Sequence, residues 1–332
     1  MIISRTPFRI SFFGGGTDYP AFYEEHGGAV LNTTINKYCY VICRYLPPFF
    51  DYKYDIRYRI REEAKTIAEI KHPSVRECLN FMKLDRGVEI QHNADLPSMS
   101  GLGSSSAFTV GLLNALYALK GQLVTKRQLA LDAIHVEQQE IKENVGSQDQ
   151  TAVAFGGFNK IEFGGLRKIW VEPITLEQSK RDLLQSHFML FFTGFPRRAS
   201  EIAAEQIKKT PDNIKELQAM MAMVGRAIEI LYGRPEDYAD FGRLLHDSWM
   251  LKRGLTTSIT NPAIDEIYQA ARDAGALGGK LLGAGGGGFM LFFVPPERRQ
   301  KVRDRLAKLL YVPFAFHDLG SQIVYYAPEE NY

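Results

Sequence analysis

The sequence contains few cysteines, and this scarcity excludes two classes of protein. Three cysteines occur among 332 residues: Cys39, Cys43 and Cys78. Their number is odd, and Cys39 and Cys43, although spaced as C-x₃-C, have no second pair of cysteines or histidines to complete a zinc site, so we predict neither a disulfide framework nor a zinc centre. We expect reduced thiols in a protein core, which is typical of a cytoplasmic protein.

Net charge and long apolar runs are also lacking. The 40 Lys and Arg residues nearly balance 38 Asp and Glu residues, which leaves a formal net charge of +2. So small a charge gives no reason to predict nucleic acid or an acidic membrane as a partner. No apolar run is long enough to span a bilayer, and residues 1–7 lack the apolar core of a signal peptide. We therefore expect a cytoplasmic location.

Two common nucleotide-binding signatures are absent. No GxxxxGK[ST] motif occurs, and the HRD motif of protein kinases is missing. Asp-Phe-Gly does occur at residues 240–242, but within a run predicted as a helix and without the HRD motif that precedes it in protein kinases. Residues 283–288 formally match GxGxxG, but a strand-like run follows them where the dinucleotide motif requires a helix. The acidic residue expected about 20 positions further on is also missing, since residues 307–310 are Ala-Lys-Leu-Leu. P-loop and dinucleotide-binding enzymes are excluded.

What the sequence does contain is a Gly/Ser-rich stretch at residues 97–107. It follows a strand-like run at 88–92 and opens an apolar helical run at 108–119. Gly101 and Gly103 let the backbone approach a ligand closely, and the N–H groups at a helix start attract anions. The stretch predicts a phosphate-binding loop; the alternative is an ordinary serine-capped helix after a glycine loop.

A second glycine-rich stretch follows a predicted strand at residues 7–13. Three glycines end that strand, and Thr17 and Asp18 come next, with groups suited to a polyhydroxyl ligand. The alternative is a turn whose aspartate caps a short helix at 20–25. Beyond it, runs at 29–35 and 38–45 predict a hairpin or two adjacent strands.

Two carboxylates stand out in the middle of the chain. Thr125 opens a capping-box pattern for a helix to about Lys142, and Glu137 falls within that helix's apolar arc. A buried carboxylate needs a salt bridge, hydrogen bonds or a cation, and the helix pattern alone leaves these open; Glu140 lies at the edge of the arc. Asp149, flanked by two amides, could equally be a turn aspartate.

The three glycine-rich stretches occur in a recognisable order. Pro7-x-Arg-Ile-x-Phe-x-Gly-Gly, then Gly-Leu-Gly-Ser-Ser-Ser-Ala at 101–107, then Lys280-Leu-x-Gly-Ala-Gly-Gly-Gly-Gly resemble the three motifs of the GHMP kinase superfamily. Further segments, among them Gly-Gly-Gly-Thr-Asp-Tyr-Pro at 14–20 and Trp249-x-x-Lys252, are most similar to the D-glycero-D-manno-heptose 7-phosphate kinases. Those enzymes phosphorylate the anomeric hydroxyl to give the 1,7-bisphosphate.

The resemblance implies an α+β architecture with two lobes. Residues 1–180 would form an ATP-binding lobe like ribosomal protein S5 domain 2, and residues 181–332 a ferredoxin-like lobe. ATP and Mg²⁺ would be bound, with a sugar phosphate between the lobes. A homodimer is among the assemblies that the resemblance allows.

The resemblance also implies roles for individual residues. Asp149 would orient or deprotonate the attacking hydroxyl, and Arg9, which stays protonated, would act electrostatically. Ser105 and Glu137 would bind Mg²⁺, with Glu140 kept as the alternative to Glu137. The phosphates of ATP would lie on Gly101, Leu102, Gly103, Ser104, Ser105 and Ser106. The acceptor would contact Gly15, Gly16, Thr17, Asp18, Gly285 and Gly286.

The phosphate that a heptose 7-phosphate already carries would need a basic site. Arg197 and Arg198 are the first candidates, because they follow a strand end at a predicted helix start; Lys252 and Arg253 are the second. Two other functions fit the same motifs. One is another GHMP enzyme, such as a fucose-type 1-kinase or a mevalonate-diphosphate-type decarboxylase, and the other is a non-catalytic sensor of sugar or ATP.

Overall fold

A computed structural model describes residues 1–98, 100–165, 169–194 and 199–327. Its larger sheet has nine strands, and β1, β2, β5, β3 and β4 lie side by side in it, with β13 outside β1. The strands of this sheet are β1 (Ile2–Phe13), β2 (Gly28–Tyr45), β3 (Tyr54–Arg57), β4 (Arg61–Ala64), β5 (Val88–Ala94), β6 (Phe158–Phe163), β7 (Ile169–Pro173), β12 (Phe316–His317) and β13 (Gln322–Tyr326).

The predicted pair of strands at 29–35 and 38–45 is wrong, because β2 is one continuous strand of 18 residues. Its first part pairs with β6 and its last part with β5. The polar Asn36 looks like a turn residue in the sequence. In the structure its backbone N–H donates to Ala315 O at 2.9 Å and its side-chain Oδ1 accepts from Ala315 N at 2.7 Å. A distant segment therefore keeps the strand unbroken.

The smaller sheet contains β8 (Phe188–Phe192), β9 (Gly278–Leu281), β10 (Phe289–Phe293) and β11 (Leu310–Tyr311), in the antiparallel order β11-β8-β10-β9. With helices between β8 and β9 and between β10 and β11, this is the expected ferredoxin-like arrangement. β12 and β13 return to the larger sheet, so the later part of the chain contributes to both sheets. The division at residue 180 stays a proposal.

Helices cover both sheets. They are α1 (Pro20–His26), α2 (Pro73–Phe81), α3 (Ser104–Leu119), α4 (Lys126–His135), α5 (Gln148–Phe155), α6 (Gln178–Ser186), α7 (Ala199–Lys208), α8 (Ile214–Tyr232), α9 (Tyr238–Gly254), α10 (Pro262–Asp273) and α11 (Arg299–Arg305). Within the described ranges, no helix is long and apolar enough to cross a membrane. The α+β class predicted from the sequence is confirmed.

Helix α4 ends earlier than the sequence predicts. Thr125 caps it as expected, since its hydroxyl accepts from Gln128 N at 3.1 Å. The α-helical turns stop at His135 and give way to one wider π turn, Val136–Glu140. Lys142 then takes a left-handed conformation with φ 62°, which ends the helical path. This wider turn carries Glu137.

Strand β1 lies between two different layers. On one side Ser4 Oγ donates to Gly111 O of α3 at 2.7 Å. On the other side Phe12 stacks on Phe188 of the smaller sheet, with 5.0 Å between ring centroids, and meets Phe241 of α9 at 5.8 Å. The strand that carries the first glycine motif is thus held by both halves of the molecule.

Candidate active site

The second glycine motif forms a loop that leads directly into α3. Gly101 and Gly103 have φ values of 88° and 74°, which side chains rarely adopt. α3 begins at Ser104, and its first regular bond runs from Ala107 N to Gly103 O at 2.8 Å. Gly103 is the N-cap and has no side chain to occupy the N–H groups of the first turn. This is the backbone arrangement of an anion-binding helix start.

Arg9 of β1 joins this loop to α5. The guanidinium is buried and donates two hydrogen bonds to Asp149, from Nε to Oδ1 at 2.8 Å and from Nη2 to Oδ2 at 2.6 Å. Its third nitrogen, Nη1, donates to Gly101 O at 2.6 Å, and the backbone N of Arg9 donates to Leu102 O at 3.0 Å. A forked, charge-assisted pair of this kind fixes the orientation of the carboxylate. Asp149 lies in the first turn of α5.

The loop approaches this pair closely because Gly103 has no Cβ. A Cβ at that position would lie 3.1 Å from Arg9 Cγ and 3.5 Å from Asp149 Oδ2. The structure therefore brings together Arg9, Asp149 and the glycine loop, which the sequence places in three separate segments.

The first glycine motif folds into a turn stabilised by Asp18. Its carboxylate Oδ1 accepts from Gly16 N at 2.9 Å, and its backbone O accepts from Ser147 N at 2.9 Å, just before α5. Burial raises the pKa of Asp18, and the negative charge of Asp149 raises it further. The hydrogen bond from Gly16 acts in the opposite direction and lowers it. The alternative prediction, that Asp18 caps helix α1, is wrong because Tyr19 is the N-cap of α1.

Thr17 is placed differently from its neighbours. Its hydroxyl is buried and lies 2.8 Å from Gly14 O and 3.0 Å from Ala29 O. The side chain thus closes the turn on β2, and contact with an acceptor through it stays a prediction.

The third glycine motif touches the phosphate-binding loop. A Cβ on Gly288 would lie 2.3 Å from Ser100 O, so only glycine allows this approach. Gly286 N donates to Ile259 O at 2.9 Å, and Gly285, with φ 129°, packs on Ile259 as well. The three motifs therefore form one continuous site, although direct contact of Gly285 and Gly286 with a ligand stays a prediction.

Glu137 faces the first turn of α3 and is fully buried. Its Oε2 accepts from Ser106 Oγ at 2.9 Å and from the Gln150 amide. Among the described residues it forms no ion pair with an arginine and its Oε1 has no hydrogen-bond partner. Burial raises the pKa of Glu137 to about 7. An unsatisfied buried carboxylate oxygen is the kind of group that a cation completes.

Comparison with known proteins now identifies the family. Residues 67–157 match the GHMP kinases N terminal domain and residues 226–312 match the GHMP kinases C terminal domain. The chain is 32% identical over 320 residues to the D-glycero-alpha-D-manno-heptose 7-phosphate kinase of Campylobacter jejuni, covering 92% of this chain and 93% of that protein. The chain belongs to the GHMP kinase superfamily. It is a sugar kinase, and GHMP kinases use ATP as the phosphate donor.

Solved structures confirm the fold of this GHMP kinase. A D-glycero-D-manno-heptose 1-phosphate kinase from Bacteroides thetaiotaomicron is 25% identical, with a TM-score of 0.75 and coverage of 97% of this chain and 98% of that chain. Galactokinase of Lactococcus lactis, solved with galactose, is 19% identical with a TM-score of 0.73, covering 97% of this chain and 94% of that chain. At that identity the second match supports the fold alone.

One carboxylate of this kinase meets the requirements of a Mg²⁺ ligand. No cluster of three His, Cys, Asp or Glu side chains that could hold a metal occurs in the described part of the chain. Mg²⁺ in kinases needs no such cluster, because one or two carboxylates and the phosphates of the nucleotide suffice. Glu137, with its unsatisfied oxygen beside the phosphate-binding loop, fits that requirement. Glu140 is exposed and pairs with His135 at 2.9 Å.

The sequence did not decide which serine meets Glu137. Ser105, the predicted ligand, is exposed, whereas Ser106 is buried and bonded to the carboxylate. Three consecutive serines give no signal that separates them, since the difference depends on how α3 is rotated against Glu137. The metal role of Ser105 stays a prediction.

Two buried lysines lie at the site, of which Lys252 is a second-choice candidate from the sequence and Lys280 is given no role there. Lys280 Nζ donates to Phe12 O at 2.9 Å, and Lys252 Nζ donates to Gly283 O at 2.7 Å. Burial lowers the pKa of Lys280 well below its usual value, and the charges of Lys252 and Arg9 act in the same direction. The signal for Lys280 in the sequence is its position within the third motif, and the signal for Lys252 is the Trp249-x-x-Lys252 segment.

Of the four candidates for the acceptor's phosphate site, two lie in the part of the chain that the structure describes. Arg197 and Arg198 lie outside the residues that the structure describes, and their role stays a prediction. Arg253 pairs with Asp265 at 2.7 Å, and both side chains are half-buried. Lys252, its neighbour in α9, is 6% exposed and faces the first glycine motif.

Proposed function

We propose that this kinase phosphorylates the anomeric hydroxyl of D-glycero-D-manno-heptose 7-phosphate to give the 1,7-bisphosphate. The observation that carries the proposal is the Arg9–Asp149 pair, held by two short bonds against the loop at 101–103. A phosphate cradle, a fixed cation and a fixed carboxylate are the parts that phosphoryl transfer needs. The substrate comes from the likeness to the heptose 7-phosphate kinase over most of both chains.

Asp149 would align the sugar hydroxyl. Because both of its oxygens are held by Arg9, its remaining lone pairs point in fixed directions, and it works mainly by positioning. An anomeric hydroxyl is more acidic than an ordinary alcohol, so a strong base is not needed. Asp149 would accept the proton of the hydroxyl as the phosphoryl group is transferred.

Positive charge on the phosphoryl side would come from the chain itself and from a metal. The N–H groups of residues 101–106 would bind the phosphates, and Arg9 would stabilise charge that develops in the transition state. Glu137 and Ser105 would hold Mg²⁺, which supplies further charge neutralisation when bound. Residues 15, 16, 18, 285 and 286 would line the acceptor.

The proposal is tested by measuring ADP release with a panel of sugars and following the product by ³¹P NMR. We expect turnover with D-glycero-D-manno-heptose 7-phosphate and a new signal from an anomeric phosphate. Turnover with fucose or with the unphosphorylated heptose alone would instead support a free-sugar 1-kinase. ATP binding without turnover of any sugar would support a sensor. A homodimer and a cytoplasmic location stay predictions.

A further inference from the structure

Three polar side chains converge on one position above Gly15. A Cβ built on this glycine would lie 3.6 Å from Ser11 Oγ, 3.7 Å from Gln148 Nε2 and 3.8 Å from Lys252 Nζ. These are ordinary van der Waals distances, so no neighbouring atom requires glycine here. Gly14 and Gly16 differ, since their φ values of 78° and 109° do favour glycine. The missing side chain at Gly15 leaves a small space that three polar atoms face.

The three side chains come from three separate elements. Ser11 is on β1, two residues after Arg9, Gln148 immediately precedes Asp149 on α5, and Lys252 is near the end of α9. The space therefore lies next to the proposed catalytic pair, at the junction of both halves of the molecule.

The polar atoms around this space are costly to bury without a ligand. Ser11 is 5% and Lys252 6% exposed. Neither Ser11 Oγ nor Gln148 Oε1 has a hydrogen-bond partner in the part of the chain that the structure describes. Most buried polar groups are satisfied, so the unpartnered Ser11 hydroxyl at this position indicates that a ligand completes it. Gln148 Oε1 only accepts hydrogen bonds and would need a donor such as a sugar hydroxyl, whereas Gln148 Nε2 is the donor that faces Gly15.

The charges here favour an anion. The carbonyl of Gly283 fixes the Lys252 ammonium in place with a bond of 2.7 Å. Arg9 adds positive charge nearby, since the charges of Arg9 and Lys252 both act to lower the pKa of Lys280, while Asp18 and Asp149 are the opposing carboxylates. Arg9 already neutralises Asp149 through its two bonds. The donors of a hydroxyl, an amide and an ammonium around one point match a phosphate oxygen better than a sugar hydroxyl.

We propose that Ser11, Gln148 and Lys252 form a subsite above Gly15 that binds the phosphate already carried by the acceptor. The subsite would make the enzyme prefer sugar phosphates to free sugars. This inference rests on the proposed function, which supplies a phosphorylated acceptor. It assigns the acceptor phosphate to residues other than Arg197 and Arg198.

The first test is Lys252→Met, with Arg253→Met as its matched control. Both changes remove one positive charge from the end of α9, but Arg253 is half-buried in an ion pair with Asp265. We expect Lys252→Met to lower kcat/KM for D-glycero-D-manno-heptose 7-phosphate by about 10- to 150-fold, the value of a hydrogen bond to a charged group. The KM for ATP and the turnover of unphosphorylated heptose should change far less, and Arg253→Met should resemble the wild type.

The second test fills the space without removing a charge. Gly15→Ala places a methyl group where the phosphate oxygen would approach, at distances that the protein itself tolerates. Gly254→Ala on α9 is the control, because its Cβ would meet no atom of the described residues within 4 Å. We expect Gly15→Ala to keep the melting temperature of the wild type and to lose affinity for the phosphorylated sugar. This variant decides the matter if Lys252→Met fails to fold.

A third measurement separates failure of the subsite from failure of the proposed function. Titration calorimetry with inorganic phosphate needs no turnover, and saturating the protein with a non-hydrolysable ATP analogue keeps the phosphate-binding loop at residues 101–106 occupied. Weaker phosphate binding by Lys252→Met than by Arg253→Met supports the subsite even if the wild type phosphorylates no heptose. Equal losses on phosphorylated and free heptose, a raised KM for ATP, or phosphate binding unchanged by both Lys252→Met and Gly15→Ala would overturn it.

Discussion

Arg9 and Phe12 lie three residues apart on β1, and both are almost fully buried, with exposed fractions of 3% and 0%. Arg9 contacts a carboxylate and a backbone carbonyl. Phe12 is surrounded by four aromatic rings from separate elements, those of Phe158, Phe188, Phe241 and Phe316. One strand thus presents a charged contact surface to one layer and an aromatic surface to the other.

The two sides of β1 differ in whether they bury polar atoms that lack a hydrogen-bond partner. Ser11 Oγ, both polar atoms of the Asn32 side chain and Gln148 Oε1 are buried without a hydrogen-bond partner among the described residues. Ser11 and Asn32 face each other in the pairing of β1 with β2. The aromatic side has no comparable cost, since rings at 5–6 Å separations pack well. We infer that the aromatic side contributes mainly stability and that the polar side gives up stability for ligand binding.

The largest expected effect on the polar side is that of Asp149→Asn. The amide can still accept a bond from Arg9, so folding and ATP binding should persist, but the charge that aligns the hydroxyl is lost. Turnover should fall by about 10²- to 10⁴-fold. The control is Asp132→Asn, because Asp132 is a buried helix aspartate that bonds Tyr117 and Gln128 away from the site. Near-normal turnover in Asp149→Asn would refute the assignment.

The matching change on the aromatic side is Phe12→Ala. Removing a ring that contacts four others leaves a cavity, and the free energy of unfolding should fall by about 3–5 kcal/mol. Chemical denaturation measures this, with Phe49→Ala as the control because Phe49 is 80% exposed. If the folded fraction of Phe12→Ala had lost kcat as severely as Asp149→Asn, the division of roles between the two sides would be wrong.

Arg9→Lys tests whether the fork itself matters. Lysine keeps the charge but cannot make two parallel bonds to Asp149 while also reaching Gly101. Losing one charge-assisted bond should lower kcat by about 10- to 150-fold. Arg5→Lys on the same strand, where Arg5 bonds Gln322 at 3.1 Å, should have little effect on kcat. A fully active Arg9→Lys enzyme would show that charge alone is sufficient.

Glu137→Gln should raise the Mg²⁺ concentration needed for half-maximal activity. Loss of even an outer-shell partner typically weakens metal binding about 10- to 100-fold, and we expect at least that range here. The KM for the sugar should change less. Glu140→Gln is the control, since Glu140 is exposed and bound to His135. A metal defect in Glu140→Gln but not in Glu137→Gln would reverse the choice of ligand.

The sequence predicts local features well because their causes are local. The Thr125 cap is confirmed since it depends on residues three apart. The burial of Glu137 is confirmed because helical spacing alone places it on the apolar arc. The order of three glycine motifs likewise predicts the family and its fold.

Features that depend on distant segments could not be predicted. Asn36 resembles a turn residue until Ala315 supplies its hydrogen bonds. The choice of Ser106 as partner of Glu137 depends on the packing of α3 against the π turn. The meeting of Gly15 with Lys252 joins residues more than 200 positions apart, and nothing in either local pattern indicates it.

The smallest expected effect comes from Ser11→Ala. This variant tests most directly whether the polar side of β1 gives up stability for ligand binding. Removing a buried hydroxyl that has no hydrogen-bond partner in the described part of the chain should leave the ligand-free protein as stable as the wild type, or more stable by up to about 1 kcal/mol. Affinity for the phosphorylated acceptor should fall, because the same hydroxyl would bind it.

Ser4→Ala is the matched control on the same strand, since Ser4 Oγ does have a partner, Gly111 O at 2.7 Å. That change should cost about 0.5–1.5 kcal/mol of stability and leave the KM for the acceptor unchanged. Thermal unfolding with and without sugar phosphate separates the two cases. If Ser11→Ala and Ser4→Ala lost stability equally, the polar side of β1 would be an ordinary part of the core.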